Sequence, residues 1–415
     1  MTPTDRFAAF RHLSYRRYFT SRFAAAFGAQ VLSASVGWQI YEETGNAIYL
    51  GWIGLVQFLP ALLLVVVTGV TADRVGRRLV MGTAIGLEFI CAVGILGLAG
   101  FSNFDPVIVL SVLTLFGVAR AFLSPASAAL AVNLVPEEDF ANAVGWTASS
   151  WQLASIAGPA LGGFIYFLSP MAAYGTSALA FAVASVLIFS IPKPAQRFSR
   201  EPTTLSTLLG GFSYVWKEKV VLGAISLDLF AVLLGGAVAL MPVYANDILQ
   251  IGPIGNGLLR TAPAVGAILM VIVLTRFPIR NHAGIILFVS VALFGAATAV
   301  FGASTIAWVS ILALMLVGAF DMVSVMIREV LLQLWTPDEV RGRVNAVNSI
   351  FLGASNELGE ARAGFMAAKL GAVITVVGGG VAAIGVGRSG HISSRSCAKR
   401  AILKAAKTPK SIPPI

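Results

Sequence analysis

Charged side chains inside apolar runs are where chemistry can reside in this sequence, because an ionised group in hydrocarbon costs several kcal/mol unless it is paired or faces water. Glu88 and Arg120 occupy such runs in the first half of the chain. Asp228, Asp321, Arg328, Glu329, Glu357 and Glu360 do so in the second, with Arg260 toward one end of its run. Their chemistry is proton exchange at a carboxylate or retention of an anion by arginine. His12, His282 and His391 all fall outside the runs, so a carboxylate must carry any proton. The candidate coupling set is Arg120, Asp228, Asp321, Glu88 and Glu357, with Asp321 or Asp228 titrating and Arg120 lowering a carboxylate pKa or holding an anionic substrate. Ion pairs that merely lock helices together are the alternative reading.

The elements that must position these groups are helices in lipid. Of 415 residues, 57% are hydrophobic and only 12% charged, with mean hydropathy +0.85, more apolar surface than water-soluble domains can bury. Apolar stretches of spanning length predict twelve helices at 19–42, 49–70, 79–99, 107–131, 141–167, 172–191, 221–243, 255–277, 283–303, 305–331, 344–366 and 370–387. Most of the 29 lysines and arginines fall in alternate loops and the two ends, whereas 43–48, 100–106, 168–171 and 244–254 contain none. Positive charge is retained in the cytoplasm, so both termini are expected there and the span count is even. The net charge of +10 is scattered beside spans and forms no nucleic-acid-binding face. Two cysteines, Cys91 and Cys397, build neither a disulfide framework nor a metal site.

The longest polar interruption divides the spans six and six. The predicted organisation is a six-helix bundle over 1–191, a cytoplasmic linker over 192–220, a second bundle over 221–387 and a basic tail over 388–415. Within the linker, Leu208, Phe212 and Trp216 share a helical spacing that predicts an interfacial helix around 205–216. The halves repeat each other. Val135-Pro136-Glu137-Glu138 followed by Asn142-Ala143-Val144 matches Thr336-Pro337-Asp338-Glu339 followed by Asn345-Ala346-Val347, and the same register aligns Gly117 with Gly318 and Arg120 with Asp321. Similar halves about a central axis are what an alternating-access carrier requires.

The loop after the second span carries Gly69, Asp73, Arg74, Gly76, Arg77 and Arg78. It resembles the signature of the major facilitator superfamily in residues, spacing and place. Its glycines suit a tight reversal and its arginines a cytoplasmic loop. In the fifth span Gly145, Ala154, Gly158, Pro159, Gly162 and Gly163 are similar to the antiporter motif of exporting members, with Ala154 where glycine is usual. Small residues there permit close helix approach. A wider likeness, through Arg120-Ala121-Phe122, Ser226 to Ala231, Asp321 to Ser324 and Gly353 to Gly359, resembles the exporter branch related to the enterobactin exporter.

The resemblance implies an all-α integral membrane protein of the major facilitator fold, two six-helix bundles with pseudo-two-fold symmetry in a bacterial inner membrane. It also implies proton-coupled efflux of a small organic molecule, siderophore or drug-like, by a monomer in lipid without cofactor, metal or nucleic acid. An uptake carrier and a non-transporting sensor on the same fold are the alternatives. The sequence has no HExxH, GxSxG or P-loop, so no enzyme is expected. Gln30, Trp38, Gln57, Trp146, Trp151 and Gln152 are candidate cavity residues. The chain departs from the family pattern at Glu360-Ala361-Arg362-Ala363-Gly364, in a short Gly-rich last span and in its tail.

Overall fold

Long helices are the elements expected where every backbone polar group must be satisfied inside hydrocarbon. A computed structural model of the chain describes residues 6–101, 104–131, 133–193, 212–279 and 283–388. Inside those helices the side chains of 65, 66, 69, 70, 72, 73, 129, 220, 338, 339, 341, 342 and 346 are not described. In chain order the helices are α1 Leu13–Thr44, α2 Ile48–Val75, α3 Arg77–Gly100, α4 Pro106–Ala131, α5 Phe140–Leu168 and α6 Pro170–Phe189. The second set is α7 Lys219–Gly235, α8 Gly252–Arg276, α9 Ala283–Ala303, α10 Ala307–Trp335, α11 Asp338–Leu370 and α12 Ala372–Arg388. Eight spans among the described residues are long and apolar enough to cross a membrane by length and composition alone. The α1 and α11 helices are not among them: α1 has charges at both ends and glutamines and serines between, and α11 carries charges along its length, Glu357, Glu360 and Arg362 included.

The two sets pack alike. In the first, α1 lies on α5 and α6, α2 on α4, and α3 on α4 and α6. In the second, α7 lies on α11, α8 on α10 and α9 on α10, while Gly379 and Gly380 of α12 abut α7 and α9. Each set is therefore a six-helix bundle of the same connectivity. The repeat in the sequence has a structural counterpart: Pro136 and Pro337 each stand immediately before a helical start. Gly117 of α4 and Gly318 of α10 each admit a backbone carbonyl, of Gln57 and Pro263 respectively, where a Cβ would sit.

The halves join through α2 with α11 and through α5 with α8. Gly51 of α2 meets Ala361 and Gly364 of α11, and Trp52 stacks edge-on against Phe365 at 5.4 Å. Gly163 of α5 meets Pro253 and Gly257 of α8, and Thr261 Oγ1 donates to the Ile156 carbonyl at 3.1 Å. Tyr41 at the end of α1 donates to Asp247. All these contacts lie in the half of each helix remote from the face where α1 begins, here termed the N-terminal face.

The seventh span, predicted over 221–243, is an apolar spanning segment over Val221–Ile248, but it is not one unbroken α-helix. α7 stops at the Gly235-Gly236 pair, and the chain continues through a 3-10 turn, Val238–Leu240, and a π-helical segment, Tyr244–Ile248. Two adjacent glycines remove the side-chain packing and helix propensity that would carry the helix through. Of the predicted linker helix, only 212–216 lie within the described residues. That stretch is helical and leans on the second bundle, with Tyr214 donating to the Trp335 carbonyl at 2.7 Å. The rest of that predicted helix and the basic tail beyond residue 388 lie outside the described residues.

Candidate functional site

Arg120 and Glu88 line one cavity. It has a volume of about 210 Å³ and lies between α1, α3, α4 and α5, from the N-terminal face to mid-depth. Gln57 on α2 accepts from Arg120 Nη1 at 3.4 Å, which fixes the guanidinium toward the cavity. Glu88 is 1% exposed, and its Oε2 has no hydrogen-bond partner among the described residues. Arg22 enters the same cavity from α1 and donates to Ser127 Oγ. Sequence alone does not single out Arg22, which stands close to the end of its helix and reads there as a loop-side charge.

Across the middle of the molecule, Arg120 lies within electrostatic reach of Glu357 and Glu360 on α11. Glu360 is in turn within reach of Arg260 on α8, whose Nη1 donates to Ser33 Oγ of α1 at 3.4 Å. Two arginines and two glutamates thus form a charge-balanced network between the halves, just on the N-terminal side of the glycine contacts, with Glu357 and Glu360 also facing each other. Bare charges at this depth are costly, and the balance of sign offsets part of that cost.

Asp228 and Asp321 belong to a second cluster, inside the second bundle. Asp228 on α7 forms a salt bridge with Arg328 on α10, 5% and 1% exposed. Asp321, nearly two turns earlier on α10, faces the same pair electrostatically. The structure therefore brings Arg120 to Glu88 and Glu357, and Asp228 to Arg328 and Asp321. Two acids and one base give this second cluster one uncompensated negative charge when fully ionised. Nearby, Asn348 donates to Glu329 at 3.2 Å.

The loop glycine Gly76, at φ +109°, is the single residue between α2 and α3, a conformation that side chains other than hydrogen resist. Arg78 ties the loop to the end of α6 by donating to the carbonyls of Ile188 and Phe189, while Arg74 is exposed. Gly69 and Asp73 fall where side chains are not described. On α5, Gly158 and Gly162 pack on Gln30 and Val31 of α1, Gly163 packs on α8, and Ala154 is buried; Gly145 has open space beside it. The Pro159 carbonyl abuts Gly257. By their contacts, Gly359 of α11 is the counterpart of Gly158, and Gly364 that of Gly163. Gly359 packs on α7 and Gly364 on α2, so α11 holds a structural twin of the α5 pattern.

Of the amide and aromatic candidates, Trp151 lines the cavity and Gln57 holds Arg120. Gln30 bonds Ser155 at 3.4 Å and Gln152 bonds the Ala264 carbonyl at 3.3 Å. Trp38 bonds Glu42 at 3.0 Å near the far face. Trp146 binds the Arg6 carbonyl at 2.9 Å within an aromatic cluster that includes Phe7, Phe10 and Phe19.

The sequence profile of the family described as Major Facilitator Superfamily matches residues 18–360. Macrolide efflux protein A of Streptococcus pyogenes is 27% identical over 280 residues, covering 64% of this chain and 66% of the relative, just under two thirds of the latter's own length. Enterobactin exporter EntS of Escherichia coli is 25% identical over 371 residues, covering 88% and 87%. Among solved structures, a bacterial homolog of the human lysosomal transporter Spinster in an inward-facing, unoccupied conformation superposes with a TM-score of 0.72 at 14% identity, covering 96% of this chain and 99% of that one. A D-xylose-proton symporter superposes at 0.64 with 15% identity, covering 91% and 95%.

Proposed function

This chain belongs to the major facilitator superfamily, and on that premise we propose that it is a proton-driven exporter of small organic molecules that works by alternating access. Membership makes it a multi-pass membrane transporter and not an enzyme. One observation carries the finer reading: the halves are pinned together at the far face, while a charged cavity lies between that seam and the N-terminal face. If the basic loops place the N-terminal face in the cytoplasm, this is a conformation that loads from inside. The names of the two relatives, an efflux protein and an exporter, support the same direction.

The proposed cycle uses the two clusters separately. Substrate enters the cavity beside Arg120 and Glu88. Rocking of the bundles about the α2–α11 and α5–α8 contacts then closes the N-terminal face and opens the far face. Protons load on the Asp228–Asp321–Arg328 cluster from outside, where one proton cancels its uncompensated charge, and leave when the cluster faces the cytoplasm. The domain boundaries follow the same division, with the linker joining two rocking units. Everted membrane vesicles test the whole reading. Enterobactin should accumulate only while the vesicle interior is acidic. Accumulation in right-side-out vesicles instead would make the protein an uptake carrier and overturn export.

A further inference from the structure

We infer that the cavity in the first bundle recognises an organic anion carrying an aromatic ring, which makes acidic aromatic compounds the substrate class of the exporter proposed above. The transport meaning of this inference rests on that proposal; the binding preference rests on the cavity itself. Its charged lining is Arg22, Arg120 and Glu88, two guanidinium groups against one carboxylate. A guanidinium has five N–H donors in a planar fork. Arg22 gives one to Ser127 and one to the Tyr18 hydroxyl, and its Nε has no hydrogen-bond partner among the described residues; Arg120 gives one to Gln57 through a long bond. Donors in the fork geometry that matches a carboxylate therefore remain.

The charges facing the cavity from other helices do not reverse this balance. Glu357 and Glu360 reach Arg120 from α11 but do not line the cavity, and Glu360 also has Arg260 for a counter-ion. Glu88, walled in beside Arg120, can offset at most one of the two cavity guanidiniums, and no carboxylate other than Glu88 lines the cavity beside Arg22. A cation entering here meets two repulsions for one attraction, and an anion meets the converse. Apart from Ser124 and Ser127, the remaining wall is apolar, made by alanines, Met81 and Leu123, with the half-exposed Trp151 ring offering a stacking face. A volume of about 210 Å³ is below the roughly 300–1,000 Å³ of drug-sized sites, so the recognised unit has one or two rings.

Equilibrium dialysis of the purified protein in lipid nanodiscs tests this with three probes of one shape: 1-naphthoate, its neutral amide, and 1-naphthylmethylammonium. Naphthoate should bind at least about tenfold more tightly than the other two, the worth of one charged hydrogen bond. Arg22→Gln and Arg120→Gln should each remove most of that preference, Arg120→Lys should keep part of it, and Glu88→Gln should strengthen it. Size-exclusion elution and melting temperature identify folded variants, and if Arg120→Gln aggregates, Arg22→Gln carries the test. Equal or tighter binding of the ammonium, no naphthoate binding, or a preference unaltered in folded Arg22→Gln overturns the inference. Everted vesicles separate the two proposals: accumulation of the ammonium without naphthoate preserves export and overturns the anion, whereas naphthoate binding without any accumulation preserves the anion and overturns export.

Discussion

Removing Asp228 strands Arg328, a guanidinium 1% exposed whose counter-ion would then be Asp321 alone. Stranding a buried charge costs about 3–5 kcal/mol when nothing replaces its partner. Asp228→Asn should therefore lower the melting temperature modestly, and Asp228→Asn with Asp321→Asn by far more than the sum of the single effects. Melting of all three variants in nanodiscs checks this; simple additivity would mean that Asp321 is no reserve counter-ion. Asp321→Asn alone should keep substrate exchange between two sides at equal pH and lose accumulation driven by a pH gradient. Normal gradient-driven efflux in both single variants would sink the proton assignment. The charged candidates were legible in the sequence because charge within apolar runs is rare. Their partners were not, because depth along a helix says nothing of rotation: only the facing of α7 on α10 gives Asp228 to Arg328 and leaves Arg120 to Glu88.

The α5 pattern divides sharply once its neighbours are known. A Cβ on Gly145 would meet nothing within 4 Å, whereas a Cβ on Gly163 would stand 2.4 Å from the Pro253 carbonyl. Gly145→Ala should leave transport and melting unchanged. Gly163→Ala should force α5 from α8 at an overpacking cost of about 1–3 kcal/mol, and favour states in which the far face is open. Thiol accessibility of a cysteine placed at Asn256, buried in that seam, reads the shift; unchanged labelling would show that α5–α8 contact does not set the conformation. The sequence displayed the small residues of α5 but hid their twin on α11, because Glu360 stands there where Pro159 stands on α5. Apolar length located the spans well, α9 included, yet it ran past the end of α7, since composition records hydrophobicity and not the loss of packing at a glycine pair.

At the scale of the molecule, six-plus-six architecture was readable from loop charge and repetition, with bilayer thickness setting the length of each span. Which face is shut was not readable, because both conformations bury similar residues along each helix. A short cross-linker between cysteines at Tyr41 and Asp247, whose native side chains already touch, should arrest transport reversibly without altering naphthoate binding. Persistent transport in the cross-linked protein would mean that these ends never part. Spin labels at Val144 and Ile272, exposed on the N-terminal sides of α5 and α8, should approach one another when the far face opens.

Gly51 with Gly364, and Gly163 with Gly257, bring bare backbone together at the closest points of the far-face seam, beside the Trp52–Phe365 contact. Parting those points would uncover Cα hydrogens and carbonyl oxygens that water solvates readily, and the cost of wetting apolar area would fall on the aromatic pair and its neighbours. In the proposed cycle the control then falls to the neighbouring network of Arg120, Glu357, Glu360 and Arg260, where adding or withdrawing a single proton or ligand would change the balance of attraction between the bundles.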